Sequence, residues 1–252
     1  MNSYIKKRKK GSSADSYYLF GFHSVSQALL NPKRKKYELW TTRNAREKLG
    51  SKMSLPKIPI HFLETVKGPL ISKDSVHQGL ILRVAPLYQK MEKEFLTKKC
   101  RNVVVILDKV TDPQNVGAII RTSLFFDCLA VLNTERGGAK EGGSLVKSAS
   151  GAFEKMPYIL VTNISQTLRY MKKLGFIVVG LDSKAKEDIK SSPFSDLGTN
   201  IVLVFGAEGK GLRRLTLENC DYHAKISGKT DFSSLNVSTA VGITLHTILN
   251  SC

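Results

Sequence analysis

From residue 102 onward the chain alternates short apolar runs with amphipathic segments of helical length, and this alternation restricts its fold more than any other feature. The series begins at "NVVVILDKV", whose unbroken apolar stretch suits a strand covered on both faces, as in parallel sheets. It continues through "NVGAIIRTSLFFD", "CLAVLNT", "SLVKSASGAFE", "PYILVTN", "ISQTLRYMKKLG", "FIVVGLDS", "NIVLVFG", "LRRLTLENC", "YHAKIS" and "SLNVSTAVGITLHTILNS". Strands alternating with helices predict an α/β domain whose parallel sheet lies between helical layers. Ligands of such sheets sit beyond the carboxyl ends of the strands, so the loops there are the place to look for chemistry.

The first hundred residues follow a different pattern. "YYLFGFHSVSQALLN" predicts a strand, a glycine turn and a helix; "KYELWTT", "IPIHFLE" and "GLILRVAPL" predict strands, with "NAREKLGSKM" a helix between the first two. The expected organisation is a basic tail (1–15), a small α/β unit (16–87), a polar linker "YQKMEKEFLTKKC" (88–100) and the larger domain (101–252). Charge follows the same division. Residues 1–100 carry 21 basic and 7 acidic side chains, whereas residues 101–252 carry 18 and 14, within a total net charge of +18. A positive field of this kind draws polyanions by counterion release, which points to nucleic acid ahead of acidic lipid. The clusters "KKRKK" (6–10) and "PKRKK" (32–36) concentrate it, the second inside a folded unit.

Several classes are excluded as expectations. No apolar run approaches a membrane span, and the basic N-terminus has no hydrophobic segment behind it, so a secreted or membrane-inserted protein is not expected and a cytoplasmic one is. Cys100, Cys128, Cys220 and Cys252 are too far apart for a zinc knuckle or a redox Cys-x-x-Cys, so no metal is expected and the thiols read as free.

Three strand-end loops are rich in polar residues: "DKVTDPQN", "GAEGKG" and "SGKTDFSSLN". The glycine-rich "VFGAEGKGL" invites a phosphate-binding reading, but the position that the Walker pattern reserves for its first glycine holds Val204, and Gly211 follows Lys210 where a hydroxyl is required. The dinucleotide fingerprint fails as well, at Arg214. In "DPQNVGAIIRT", Pro113 is barred from a helix interior, so the loop is expected to persist to about Asn115, which then either caps the helix or faces a ligand. Arg121 reads as a surface charge or as a long side chain reaching into the cleft. Glu208, flanked by glycines, is either a ligand anchor or a solvated side chain, and Ser234 and Asn236 are either helix caps or site residues.

Taken together, "DPQNVGAIIRT", "GAEG" (206–209) and "SLNVS" (234–238) resemble, in order and spacing, the three motifs of the SpoU type of SPOUT RNA ribose 2'-O-methyltransferases. "LFGFHSVSQALLN" and "HQGLILRVAP" resemble the L30e-like RNA-binding domain that precedes the catalytic domain in many members, so the likeness covers all but the tail. One departure is "ISGKT" (226–230), where the family's third motif usually has Ile-Pro-Met. The resemblance implies a trefoil-knotted catalytic domain, a homodimer and S-adenosylmethionine as methyl donor. It also implies a guanosine ribose of 23S ribosomal RNA as acceptor, with a transfer RNA, another ribosomal RNA or a non-catalytic role in ribosome assembly as alternatives. Carried over by motif, Asn115, Arg121, Glu208 and Asn236 are the catalytic set, and Gly206, Ile226, Ser234, Leu235 and Asn236 contact the cofactor. Arg121, always cationic, suits a phosphate and a developing alkoxide better than it suits a general base. Lys33, Arg34, Lys35, Lys36 and Arg43 are the expected RNA grip. Phe22 and His23 either meet RNA or serve as a buried ring and a helix cap.

Overall fold

The computed structural model describes residues 16–50, 57–65, 68–69, 76–87, 102–190, 200–230 and 235–249; the tail, the linker and Ser234 lie outside them. Residues 1–87 and 88–252 form two compact units.

The first unit is a four-stranded sheet with two helices: β1 (Tyr17–Phe20), α1 (Phe22–Leu30), β2 (Lys36–Thr41), α2 (Arg43–Leu49), β3 (Ile60–Phe62) and β4 (Leu80–Val84). The order is β1-β4-β2-β3, with β4 antiparallel to both neighbours and β3 parallel to β2. Gly21, at φ 91°, turns the chain from β1 into α1, a left-handed conformation that glycine adopts without strain. Thr42 starts α2 by accepting the Ala45 N–H on its hydroxyl. Leu19, Val25, Ala28, Leu39, Leu80 and Leu82 are the fully buried centre of the unit.

The second unit contains β5 (Asn102–Asp108), α3 (Pro113–Phe125), β6 (Ala130–Thr134), α4 (Gly143–Ser148), β7 (Tyr158–Val161), α5 (Ile164–Lys173), β8 (Ile177–Leu181), β9 (Glu187–Asp188), β10 (Asn200–Gly206), α6 (Arg214–Leu217), β11 (Tyr222–Lys225) and α7 (Val237–Leu249). All seven strands are parallel, in the order β7-β6-β5-β10-β8-β11-β9. The unbroken apolar runs follow from burial on both sides. Val104, Ile106, Leu132, Val178, Val202 and Val204 pack under Ile164, Leu168 and Met171 of α5, while alternate residues such as Val103, Val105, Leu203 and Phe205 are buried on the other face, where α3 and α7 lie. The two-residue edge strand β9 was not apparent in the sequence, since so short a run carries no periodicity.

One register relation positions the site. β5 and β10 are neighbours, and Gly206 pairs with Asp108, so the loops that follow these strands leave the sheet side by side.

Candidate active site

The first loop departs from the sequence expectation in a way that matters. α3 begins at Pro113 rather than after Asn115, because Asp112 is the cap: its carboxylate accepts the Gln114 and Asn115 backbone N–H groups, and Pro113 occupies the first helical position, where a missing N–H costs nothing. Asn115 therefore does not cap the helix, and its amide is free to act elsewhere.

The second loop is a tight return. Ala207 and Gly211 bridge, the Gly211 N–H donates to the Ala207 carbonyl, and Gly209 and Gly211 have φ of 76° and 64°. A Cβ on Gly206 would lie 2.1 Å from the Gly211 carbonyl carbon, so this glycine is required by the loop's own closure. Gly209 and Gly211, around the Gly-Lys pair, thus shape a turn and no phosphate cradle.

The third segment supplies Asn236, which caps α7. Its Oδ1 accepts from the Ser238 N–H at 2.9 Å and the Ser238 hydroxyl at 2.6 Å. That leaves its amide nitrogen pointing the other way, toward the first two loops. Asn236 Nδ2 donates to Asn115 Oδ1 at 2.8 Å and to Glu208 Oε1 at 3.0 Å, and Asn115 Nδ2 donates to the same Glu208 oxygen at 3.0 Å. Side chains 93 and 121 residues from Asn115 in the chain thus meet in one closed triangle. Glu208 is exposed, and only its Oε1 is engaged among the described residues.

The remaining expected residues are placed less uniformly. Arg121 is exposed on α3, and its guanidinium makes no hydrogen bond or ion pair among the described residues; it does not join the triangle. Leu235, directly before Asn236, is 47% exposed, and Ile226 follows β11 on the same edge of the sheet. Asp188 steadies the Ile226 loop by accepting the Ser227 and Lys190 N–H groups; hydrogen bonding from Ser227 is the largest cause that holds its carboxyl below the usual range. Lys33, Lys35, Lys36 and Arg43 lie at the surface or partly buried, with Lys36 bound to the Asn31 carbonyl. Arg34 corrects the expectation for the basic cluster. It is 2% exposed, and its guanidinium donates to the Ala85 carbonyl at 2.9 Å and reaches the Tyr17 hydroxyl, so it ties down the end of β4 instead of facing RNA.

Two buried polar groups behind the site were missed from the sequence. Asp108, at 1% exposure, accepts Arg213 Nε at 2.7 Å, the Thr216 hydroxyl at 2.6 Å and the Arg213 N–H, which fixes the chain leaving the glycine loop. Asn133 donates to the Val110 carbonyl and the Tyr158 hydroxyl, which itself donates to the Ala139 carbonyl; burial raises the Tyr158 pKa above its ordinary value. A charged residue closing the apolar run "NVVVILD" was the available signal for the first.

Two family models match the chain: the SpoU rRNA Methylase family over residues 102–246 and the RNA 2'-O ribose methyltransferase substrate binding domain over residues 18–90. The chain belongs to the SpoU rRNA methylase family. Among SpoU relatives, it is 35% identical over 237 residues to the 23S rRNA (guanosine-2'-O-)-methyltransferase RlmB of Pseudomonas putida, covering 90% of this chain and 93% of that protein. The Haemophilus ducreyi protein of the same name is also 35% identical, over 93% and 97% of the two chains. In fold it is similar to the SpoU methyltransferase AviRb from Streptomyces viridochromogenes in complex with AdoMet, with a TM-score of 0.76, 18% identity and coverage of 94% and 90%. An AdoMet-bound rRNA methyltransferase from Sinorhizobium meliloti gives a TM-score of 0.74 at 21% identity, over 94% and 88% of the chains. Among the described residues, no helix is long and apolar enough to cross a membrane.

Proposed function

We propose that this protein is an S-adenosylmethionine-dependent methyltransferase that acts on the ribose 2'-hydroxyl of a guanosine in 23S ribosomal RNA. The observation that carries the reading is the Asn115–Glu208–Asn236 triangle, in which all three motifs meet at the carboxyl edge of a parallel sheet. The RlmB relatives, similar over nine-tenths of the chain, support the acceptor.

The residues present fit the donor. Leu235 is an apolar side chain left half in water, and the next residue, Asn236, holds an exposed carboxylate with one oxygen unengaged; an apolar residue and an anion on one loop edge suit a nucleoside that carries a sulfonium cation. When bound, the donor supplies an electrophilic methyl group. Backbone groups of Gly206, Ile226 and Leu235 would hold it, and Glu208, oriented by the two asparagine amides, sets the geometry of the cleft. Arg121 binds the substrate phosphate and stabilises charge that develops on the ribose oxygen, as a fixed cation does at a forming alkoxide.

The exposure of Arg121 is consistent with a homodimer in which it serves the partner's site. Phe125, one turn further along α3, is 82% exposed, and such a side chain is what a subunit contact would cover. A trefoil-threaded C-terminal segment belongs to the same reading. Arg121→Lys is expected to retain RNA affinity and the melting temperature while turnover falls about 10²-fold or more; near-normal turnover removes Arg121 from the chemistry. Co-production of Arg121→Ala with Glu208→Ala in one cell tests the shared site, since a heterodimer regains one complete site only if the arginine crosses between protomers. The acceptor is checked by mapping 2'-O-methyl groups on ribosomal RNA with and without the gene; an unchanged map sinks the assignment.

A further inference from the structure

The first unit holds an open cavity of its own. A cavity of about 570 Å³ opens where three turns meet: the β1–α1 turn at Gly21, the start of α2 at Thr42, and the turn before β4 at His77–Gly79. Backbone hydrogen bonds lock these turns together, from the Gly21 N–H to the His77 carbonyl at 3.2 Å and from the Thr42 N–H to the Gly79 carbonyl at 3.0 Å. Gln78 has φ of 53°, a left-handed conformation that costs a non-glycine residue energy and is kept only where surroundings impose it. Here its Oε1 accepts the Phe22 N–H at 2.9 Å. Gly79 is equally constrained, since a Cβ there would lie 2.5 Å from the Thr42 hydroxyl oxygen.

The lining is chemically selective. Phe22, His23 and His77 present rings, the first two edge to face with centroids 5.8 Å apart; Asn44 and Gln78 each carry an amide donor and acceptor; Lys48 supplies a cation, and no carboxylate is among the described residues that line the cavity. Phe22 and His77 are partly buried, while His23, Asn44, Gln78 and Lys48 stand exposed around them. Flat rings, hydrogen-bonding amides and a cation without an anion are what an unpaired nucleotide requires: a face to stack on, partners for the base edge and a counter-charge for the phosphate. Paired RNA cannot use such a cavity, because its bases are stacked and its edges engaged.

We propose that this cavity takes one unstacked nucleotide of the RNA substrate, its base against the Phe22, His23 and His77 rings, its edge at Asn44 and Gln78 and its phosphate facing Lys48. The inference rests on the reading of the protein as an RNA-modifying enzyme and deepens it: the first unit recognises an unpaired feature of the RNA, beyond its general charge.

The test uses the full chain and two fluorescein-labelled RNAs, a short hairpin with an unpaired loop and a blunt duplex of the same stem. His23→Ala and Asn44→Ala, both at exposed positions, are expected to weaken hairpin binding about tenfold, the scale of one lost base contact, with duplex binding, melting temperature and S-adenosylmethionine affinity unchanged. A hairpin carrying 4-thiouridine in its loop is expected to cross-link to the peptide that contains Phe22 and His23. Equal weakening on both RNAs, unchanged hairpin binding in both variants, or cross-links confined to residues outside the cavity each overturn the proposal. A parent protein that binds the hairpin through these residues but never binds S-adenosylmethionine supports the cavity and refutes the methyltransferase reading.

Discussion

Two polar clusters lie at the same edge of the large sheet, built from the segments that follow the same two strands and opposite in character. Asp108, the last residue of β5, is buried and has its carboxylate occupied by Arg213 and Thr216. Glu208, two residues past the paired position on β10, is exposed and accepts two amide hydrogens on a single oxygen. A carboxylate out of water must have its hydrogen-bonding capacity met by the protein, which commits it to holding the fold. One at the surface keeps capacity for a ligand. The same functional group therefore braces the loop in one place and faces the cleft in the other, and water access decides between them.

That division can be broken by mutation. Glu208→Gln is expected to lower turnover about 10²-fold while the denaturation midpoint barely moves, because the amide oxygen still accepts from both asparagines but the charge is gone. A large loss of stability with normal turnover would reverse the roles assigned to the two clusters. Arg213→Ala leaves the Asp108 carboxylate buried with only Thr216 and a backbone N–H, and is expected to cost about 3 kcal/mol in chemical denaturation. Asn236 straddles both categories as cap of α7 and member of the triangle. Asn236→Ala should cost about 1 kcal/mol as a lost cap and also weaken S-adenosylmethionine binding in calorimetry, whereas Asn236→Ser retains a capping oxygen and should recover the stability alone. The last prediction concerns pH and Cys220, whose thiol burial pushes up to about 12 from 9.0. The unfolded chain releases that proton near 9 and the folded one holds it, so stability should decline as pH rises from about 9 toward 12, and the decline should be shallower in Cys220→Ala, where only groups such as the buried Tyr158 still contribute.

The alternating pattern was enough to read the α/β class and the all-parallel sheet, because long apolar runs have only one economical burial. Helix starts were less legible. At "TDPQN" the sequence reading considers only Asn115 as a cap, whereas the cap is Asp112, because Pro113 fits the first turn; a reading that treats proline only as a breaker places the boundary too late. The triangle was visible as three motifs but not as hydrogen bonds, since the strand order that brings Gly206 beside Asp108 is a non-local fact. Arg34 shows the limit of charge counting: four consecutive basic residues look alike in sequence, yet one is turned inward to cap a strand end.

Asn236 follows Asn115 by 121 residues and Glu208 by 28, and it is needed both to start α7 and to close the triangle. During synthesis the first two motifs are therefore made, and their strands can pair, well before the third is available. The protein cannot assemble its cleft in part: until α7 is nucleated the triangle is not closed, and the step that starts this helix is also the step that arms the site.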